Sequence, residues 1–96
     1  MKLVIVPLAL AEVRDAAGFY SEKANFELGL AFVAEFERTA TLVFENPMLG
    51  AIFRGTRRRF HLRRFPYSII YQVTTEELRV IAVAHHRRLP SYWANR

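Results

Sequence analysis

The spacing of apolar residues changes period part-way along the chain, and that change demands two kinds of element. Leu10, Val13, Ala17 and Tyr20, and then Val33, Phe36, Ala40 and Val43, recur at intervals of three and four. Each set draws one apolar stripe along a helix, with Phe32 and Phe44 flanking the second. From residue 60 onward the period falls to two, in runs at 60–64, 65–73 and 78–86, as half-buried strands require. Neither helix carries the leucine heptads of a coiled coil, so the two stripes are expected to pack on a sheet.

Punctuation sets the boundaries. Pro7 suits a helix entry, Asn25 breaks the helical pattern, and Asn46-Pro47 stops it. Helices are expected at 8–24 and 27–45. The polar link at 74–77 has hairpin length, so the last two runs should be antiparallel neighbours, and a corner at 64–66 joins them to the run before. The opening MKLVIVPLALAE superficially resembles a secretion signal, but Pro7 interrupts it and it flows into the helical pattern. Residues 3–6 are read as a buried strand, and Leu89, Pro90, Ser91, Tyr92 and Trp93 as a short C-terminal turn. The expectation is one α+β domain over 1–96: an N-terminal strand, a two-helix hairpin, and a three-stranded antiparallel meander forming one small sheet on the helices.

A domain of 96 residues buries only about 60–65% of its unfolded surface, so its stability is modest and a bound partner adds to it. The chain has no cysteine, which excludes disulfides and thiolate chemistry and is compatible with a reducing cytoplasm. No stretch reaches the roughly 20 apolar residues that span a bilayer.

Charge divides the chain. Residues 1–50 hold four basic side chains against seven carboxylates, a balance of −3; residues 51–96 hold ten arginines against Glu76 and Glu77, a balance of +8. After Lys23 every cation is arginine, whose planar fork pairs bidentately with phosphate or carboxylate. In RGTRRRFHLRR, residues 54–64, strand alternation projects Arg57, Arg59, His61 and Arg63 together, with Phe60 and Leu62 opposite. Such a surface suits a nucleic-acid backbone or an acidic protein, or is neutralised by counterions.

Tyr67, Ile69, Tyr71 and Val73 share a strand face and read as core, with the Tyr71 hydroxyl free to reach an interface; Trp93 reads as a cap on the core. His61, His85, His86 and Tyr92 are candidates for proton transfer. Adjacent strand residues face opposite ways, so His85 should lie with Ile81 and Val83, and His86 with Val80, Ala82 and Ala84. No metal is expected, since there is no cysteine, HExxH or carboxylate cluster at ligand spacing, and no cofactor, since no glycine run cradles phosphate.

The element order, with RRFHLRRFPYSIIYQV, a hairpin, and LRVIAVAHHRRLPSYW, resembles the RelE/ParE superfamily of bacterial toxins from type II toxin-antitoxin pairs. The opening strand, the AEVRDAAGFYSEK start of the hairpin and the NPMLG turn extend the resemblance over nearly the whole chain. It implies a cytoplasmic toxin silenced by a cognate antitoxin whose acidic, otherwise disordered C-terminal segment wraps around it. RelE-like members cut mRNA on the ribosome, and ParE-like members inhibit DNA gyrase. RelE-like sequences usually carry arginine directly after the first tyrosine of the aromatic strand, where this chain has Ser68, and the ParE-like branch is therefore favoured. Binding rather than catalysis is then expected, with Arg57, Arg59, Arg63, Arg87 and Arg88 touching the target and Tyr92 and Trp93 offering aromatic surface. The nuclease alternative places Arg63 and Arg87 in charge stabilisation and His61 or His85 with Tyr92 in proton transfer. A third alternative is a degenerate toxin that only binds antitoxin.

Overall fold

The computed structural model describes residues 1–88 and 91–96. The elements are β1 (Lys2–Ile5), α1 (Pro7–Lys23), α2 (Phe26–Glu45), β2 (Ala51–Ile52), β3 (Arg58–His61), β4 (Tyr67–Val73) and β5 (Glu77–His85). They form one five-stranded sheet in the order β1-β5-β4-β3-β2. The meander β3-β4-β5 is antiparallel, and β1 lies parallel to β5, with Lys2 opposite Glu77 and Ile5 opposite Val80. A parallel neighbour needs a long crossover, and the helical hairpin supplies it across one face. The expected α+β arrangement is observed, with one addition. β2 is a two-residue edge strand on β3, too short to show alternation, formed because Arg54 and Gly55 adopt positive φ and turn the chain back.

Proline opens α1, and the Asn25 side chain caps α2 by accepting from the Leu28 amide at 2.8 Å. The helices approach closely at Gly29, where an added Cβ would lie 2.7 Å from the Ala17 carbonyl oxygen. Their inner faces, Ala9, Val13 and Ala16 with Phe32, Phe36, Ala40 and Val43, pack on Ile69, Tyr71, Leu78, Val80 and Val83. Tyr71 is fully buried, in keeping with its reading as core, and its hydroxyl reaches no interface. Its hydroxyl donates to the Pro47 carbonyl and accepts from the Gly50 amide, both at 2.8 Å, and pins the 46–50 turn that leads into β2.

A register shift between Ile70 and Tyr71 alters the facing of β5. Ile70 pairs with Ala82 while Tyr71 pairs with Val80, so Ile81 is the extra residue of a bulge. Val80 and Val83 both face the helices, and Ile81 and Ala82 both belong to the opposite face. Simple alternation had grouped His85 with Ile81 and His86 with Val80; the bulge corrects both, because it reverses parity once along the strand.

Glu35 on α2 holds the β3–β4 corner. Its carboxylate accepts from the Arg63 amide at 2.7 Å, from Thr39 Oγ1 at 3.2 Å and from Arg38 at 2.8 and 2.9 Å. The hydrogen bond from Arg38 outweighs partial burial and, with the Arg63 amide and Thr39, draws the carboxyl down to about 2. A depressed carboxyl contributes stability above its unfolded value of 4.5, and that contribution is lost as pH falls from there towards 2. Thermal unfolding followed between those limits should therefore show a steeper acid loss for the parent than for Glu35→Gln. Parallel curves would remove Glu35 as the source.

Candidate functional site

The sheet face turned away from the helices is only partly covered. Ile70, Ile81 and Ala82 form a small second core there, roofed by Trp93 at 2% exposure, with Phe53 and Tyr92 at its margin. Beside Trp93 opens a cleft of about 110 Å³, lined by Phe53, Arg59, His61, Ser68, Ile70, Ala84, His85, His86, Arg88 and Trp93. Strand alternation on β3 brings Arg59 and His61 to it. The Arg59 guanidinium lies 4.1 Å over the Phe53 ring, and Arg57 lies 5.3 Å over Trp93 while donating to the Ala94 carbonyl at 3.0 Å.

Three polar side chains join across neighbouring strands within this cleft. Ser68 Oγ lies 2.6 Å from His61 Nδ1 and 2.9 Å from His86 Nε2, with the two imidazole centroids 4.8 Å apart. Ser68 is opposite both His61 and Ala84, and the His86 amide donates to the Pro66 carbonyl just beyond the strand end. Burial, and then the neighbouring His86 and Arg59, push the His61 pKa down and favour its neutral form. His85 takes the other side, stacked edge-on to Tyr67 at 5.0 Å; burial and then Arg87 and His86 lower its pKa.

The tail that roofs this face is held by one carboxylate. β1 pairs with β5 only as far as Val80, so the edge of β5 beyond it lacks a strand partner. Glu12 on α1 fills the gap, accepting from the Val83 amide at 3.0 Å, the Tyr92 hydroxyl at 2.6 Å and Arg96 at 2.7 Å; Arg96 also donates to the Ile81 carbonyl at 3.1 Å. Burial and the adjacent Glu12 carboxylate raise the Tyr92 pKa, keeping the phenol protonated and donating. Arg88 lies 4.0 Å over the Tyr92 ring.

The expected site residues therefore divide. Arg57 and Arg59 share the outer face with His61, and Arg88 reaches its rim. Arg63 does not continue that row, because β3 ends at His61 and the chain turns to meet Glu35. Arg87 is exposed in the turn after β5, where its amide donates to His85 Nδ1 at 3.0 Å. Trp93 is buried and presents almost no surface to a partner, and the Tyr92 hydroxyl is occupied by Glu12. His85 lines the margin of this cleft and also, with Tyr92, a second groove beside α1. Leu89 and Pro90, expected in the C-terminal turn, lie outside the described residues. Sequence reasoning passed over Glu12, Phe53 and Arg96, and read Ser68 only as a missing arginine; their partners lie up to 84 positions away, and no local pattern marks them. No group of three or more histidine or acidic side chains suited to a metal occurs among the described residues. None of the described helices is long and apolar enough to cross a membrane.

A strand, helical hairpin and arginine-bearing meander, with a tail folded over the open face, define a protein of the RelE/ParE toxin class. The profile of the ParE toxin of the type II toxin-antitoxin system parDE matches residues 3–90, and the chain belongs to that family. It is thus the toxin component of a ParDE-type system, a role that implies a cognate antitoxin. Among solved structures, one described as the chromosomal ParDE toxin-antitoxin system from P. aeruginosa superposes with a TM-score of 0.80 at 19% identity, covering 88% of this chain and 95% of that one. At that identity the likeness is one of fold. No curated protein gave a match.

Proposed function

We propose that this toxin arrests growth in the bacterial cytoplasm by binding DNA gyrase, and that a cognate antitoxin with an acidic C-terminal segment silences it. The observation that carries the reading is the concentration of arginine in residues 51–96, at +8, with Arg57, Arg59 and Arg88 gathered beside the tail. Arg63, Arg87 and Arg88 are exposed and free to meet phosphate or carboxylate groups of a target. Purified gyrase should lose supercoiling activity and accumulate cleaved DNA in the presence of this protein. The double variant Arg87→Ala/Arg88→Ala should fold normally and lose about tenfold or more in potency, the effect of two charge-assisted contacts. Full inhibition by that variant would remove the pair from the interface, and untouched gyrase would remove the target.

Antitoxin binding is supported by apolar side chains left exposed on the hairpin, including Leu8, Phe19, Phe26 and Leu30, which an otherwise disordered segment could cover as it orders. The association rate should fall steeply between low and high salt, because the acidic segment is steered by the +8 half. A rate independent of salt would argue for an apolar encounter. A second reading, ribosome-dependent mRNA cleavage, is favoured by one observation, the paired imidazoles of His61 and His86 beside Arg59. Cut mRNA from translating ribosomes with gyrase unaffected would establish it.

A further inference from the structure

The outer cleft combines a cationic rim with an apolar floor. Arg59, His61, His86 and Arg88 stand at the rim, Ile70 and Ala84 lie beneath, and no carboxylate lines it. Each imidazole gives one nitrogen to Ser68, so His61 Nε2 and His86 Nδ1 remain without a hydrogen bond to any described residue. Ser68 has a single hydroxyl proton. With both rings neutral it donates to one ring and accepts an N–H from the other, which leaves one free nitrogen as donor and the other as acceptor whichever way the chain of bonds runs. Adding one proton to the acceptor nitrogen converts both free positions into donors and leaves both bonds to Ser68 intact. The pair then becomes a two-pronged clamp for an anion, flanked by Arg59 and Arg88.

We infer that this cleft binds a phosphate group of a single-stranded nucleic acid, taking up one proton as it does so, with the neighbouring base received on the apolar floor. Carboxylates and phosphates both accept from several convergent donors, as Glu35 and Glu12 do here. Neither aspartate nor glutamate, however, carries a flat apolar surface for the part-exposed Phe53 and Ala84 to meet, whereas a phosphate in a single strand has a base beside it. A duplex keeps its bases stacked inside and offers the floor nothing. The other charged or titratable groups around the pair are Arg59 on β3, His85 at the end of β5, and Arg87 and Arg88 in the turn that follows. Burial and the neighbouring His86 and Arg59 disfavour the added proton on His61, and an arriving anion offsets them, so proton uptake and phosphate binding are coupled. The inference rests on the chemistry of the cleft and not on gyrase being the target.

Binding of the full-length toxin to a short fluorescein-labelled single strand, followed by anisotropy at constant ionic strength, tests it. Between about pH 8 and pH 6 the affinity should rise by up to about tenfold per pH unit, the slope of one coupled proton. His61→Gln and His86→Gln should each flatten that slope and weaken binding at the acid end by about tenfold. Arg14→Gln, which removes a charge from α1, should keep the slope. Inorganic phosphate should compete in the parent and in Arg14→Gln but not in the histidine variants, and a duplex of the same sequence should bind without the pH slope. The inference is overturned if the slope survives in both histidine variants, if Arg14→Gln flattens it equally, if the duplex shows the same slope, or if the single strand does not bind. Gyrase inhibition by His61→Gln is read separately, so failure of the cleft and failure of the gyrase reading are distinguishable.

Discussion

Replacing Phe32 by alanine is expected to cost about 3–5 kcal/mol, the usual range for truncating a fully buried phenylalanine. Phe32 has no exposed surface and stands at the centre of an aromatic cluster, with ring centroids 5.0 Å from Phe65, 5.0 Å from Tyr67 and 5.7 Å from Tyr20. It is where α2 meets both α1 and the start of β4, and the rigid backbones around it cannot close over the lost ring. A domain of this size holds about 5–15 kcal/mol in total, so the variant should unfold at a much lower urea concentration with an unchanged dependence on urea. A midpoint within experimental scatter of the parent would mean that the helical hairpin is not clamped to the sheet here. Phe32→Leu, which retains most of the volume, should recover a large part of the loss.

Glu12→Ala is expected to cost about 2–4 kcal/mol, because it leaves Arg96 without its ion pair and the Tyr92 hydroxyl and Val83 amide without an acceptor. Glu12 and Arg96 side chains are each only 15% exposed, so water replaces the lost carboxylate poorly. The effect should be local as well as global. Trp93 is the chain's one tryptophan, and freeing residues 91–96 should move its emission to the red before the helices unfold. Glu12→Gln keeps an acceptor for Tyr92 or Val83 but not the charge for Arg96, and should fall between the parent and alanine. A protein lacking Glu12 with blue emission and parental stability would show that apolar packing of Trp93 alone holds the tail.

Much of the architecture is legible in the order of residues. The stripes through Val13 and through Phe36, Ala40 and Val43 fix both helices, although Leu10 is exposed and Ala9 and Ala16 complete the inner face of α1 instead. Pro7, Asn25 and Asn46-Pro47 fix the helix ends to within a residue or two. The period-two runs fix β4 and β5 and the hairpin between them. The first basic run is legible as a strand, but β3 spans Arg58–His61 rather than 60–64, since Leu62 turns inward and Arg63 is drawn to Glu35.

What the sequence determined by itself is the fold class and the electrical division of the chain, because hydrophobic period and charge are properties of short windows. What the tertiary structure alone decided is which polar groups meet. The bulge at Ile81 sends His86, not His85, to Ser68, and a parallel β1 that stops at Val80 leaves an edge for Glu12 to cap and through it to hold the tail. Both arise from strand registers summed over the whole sheet: one displaced residue reverses every later side chain, and one missing pair exposes backbone that a distant carboxylate must satisfy.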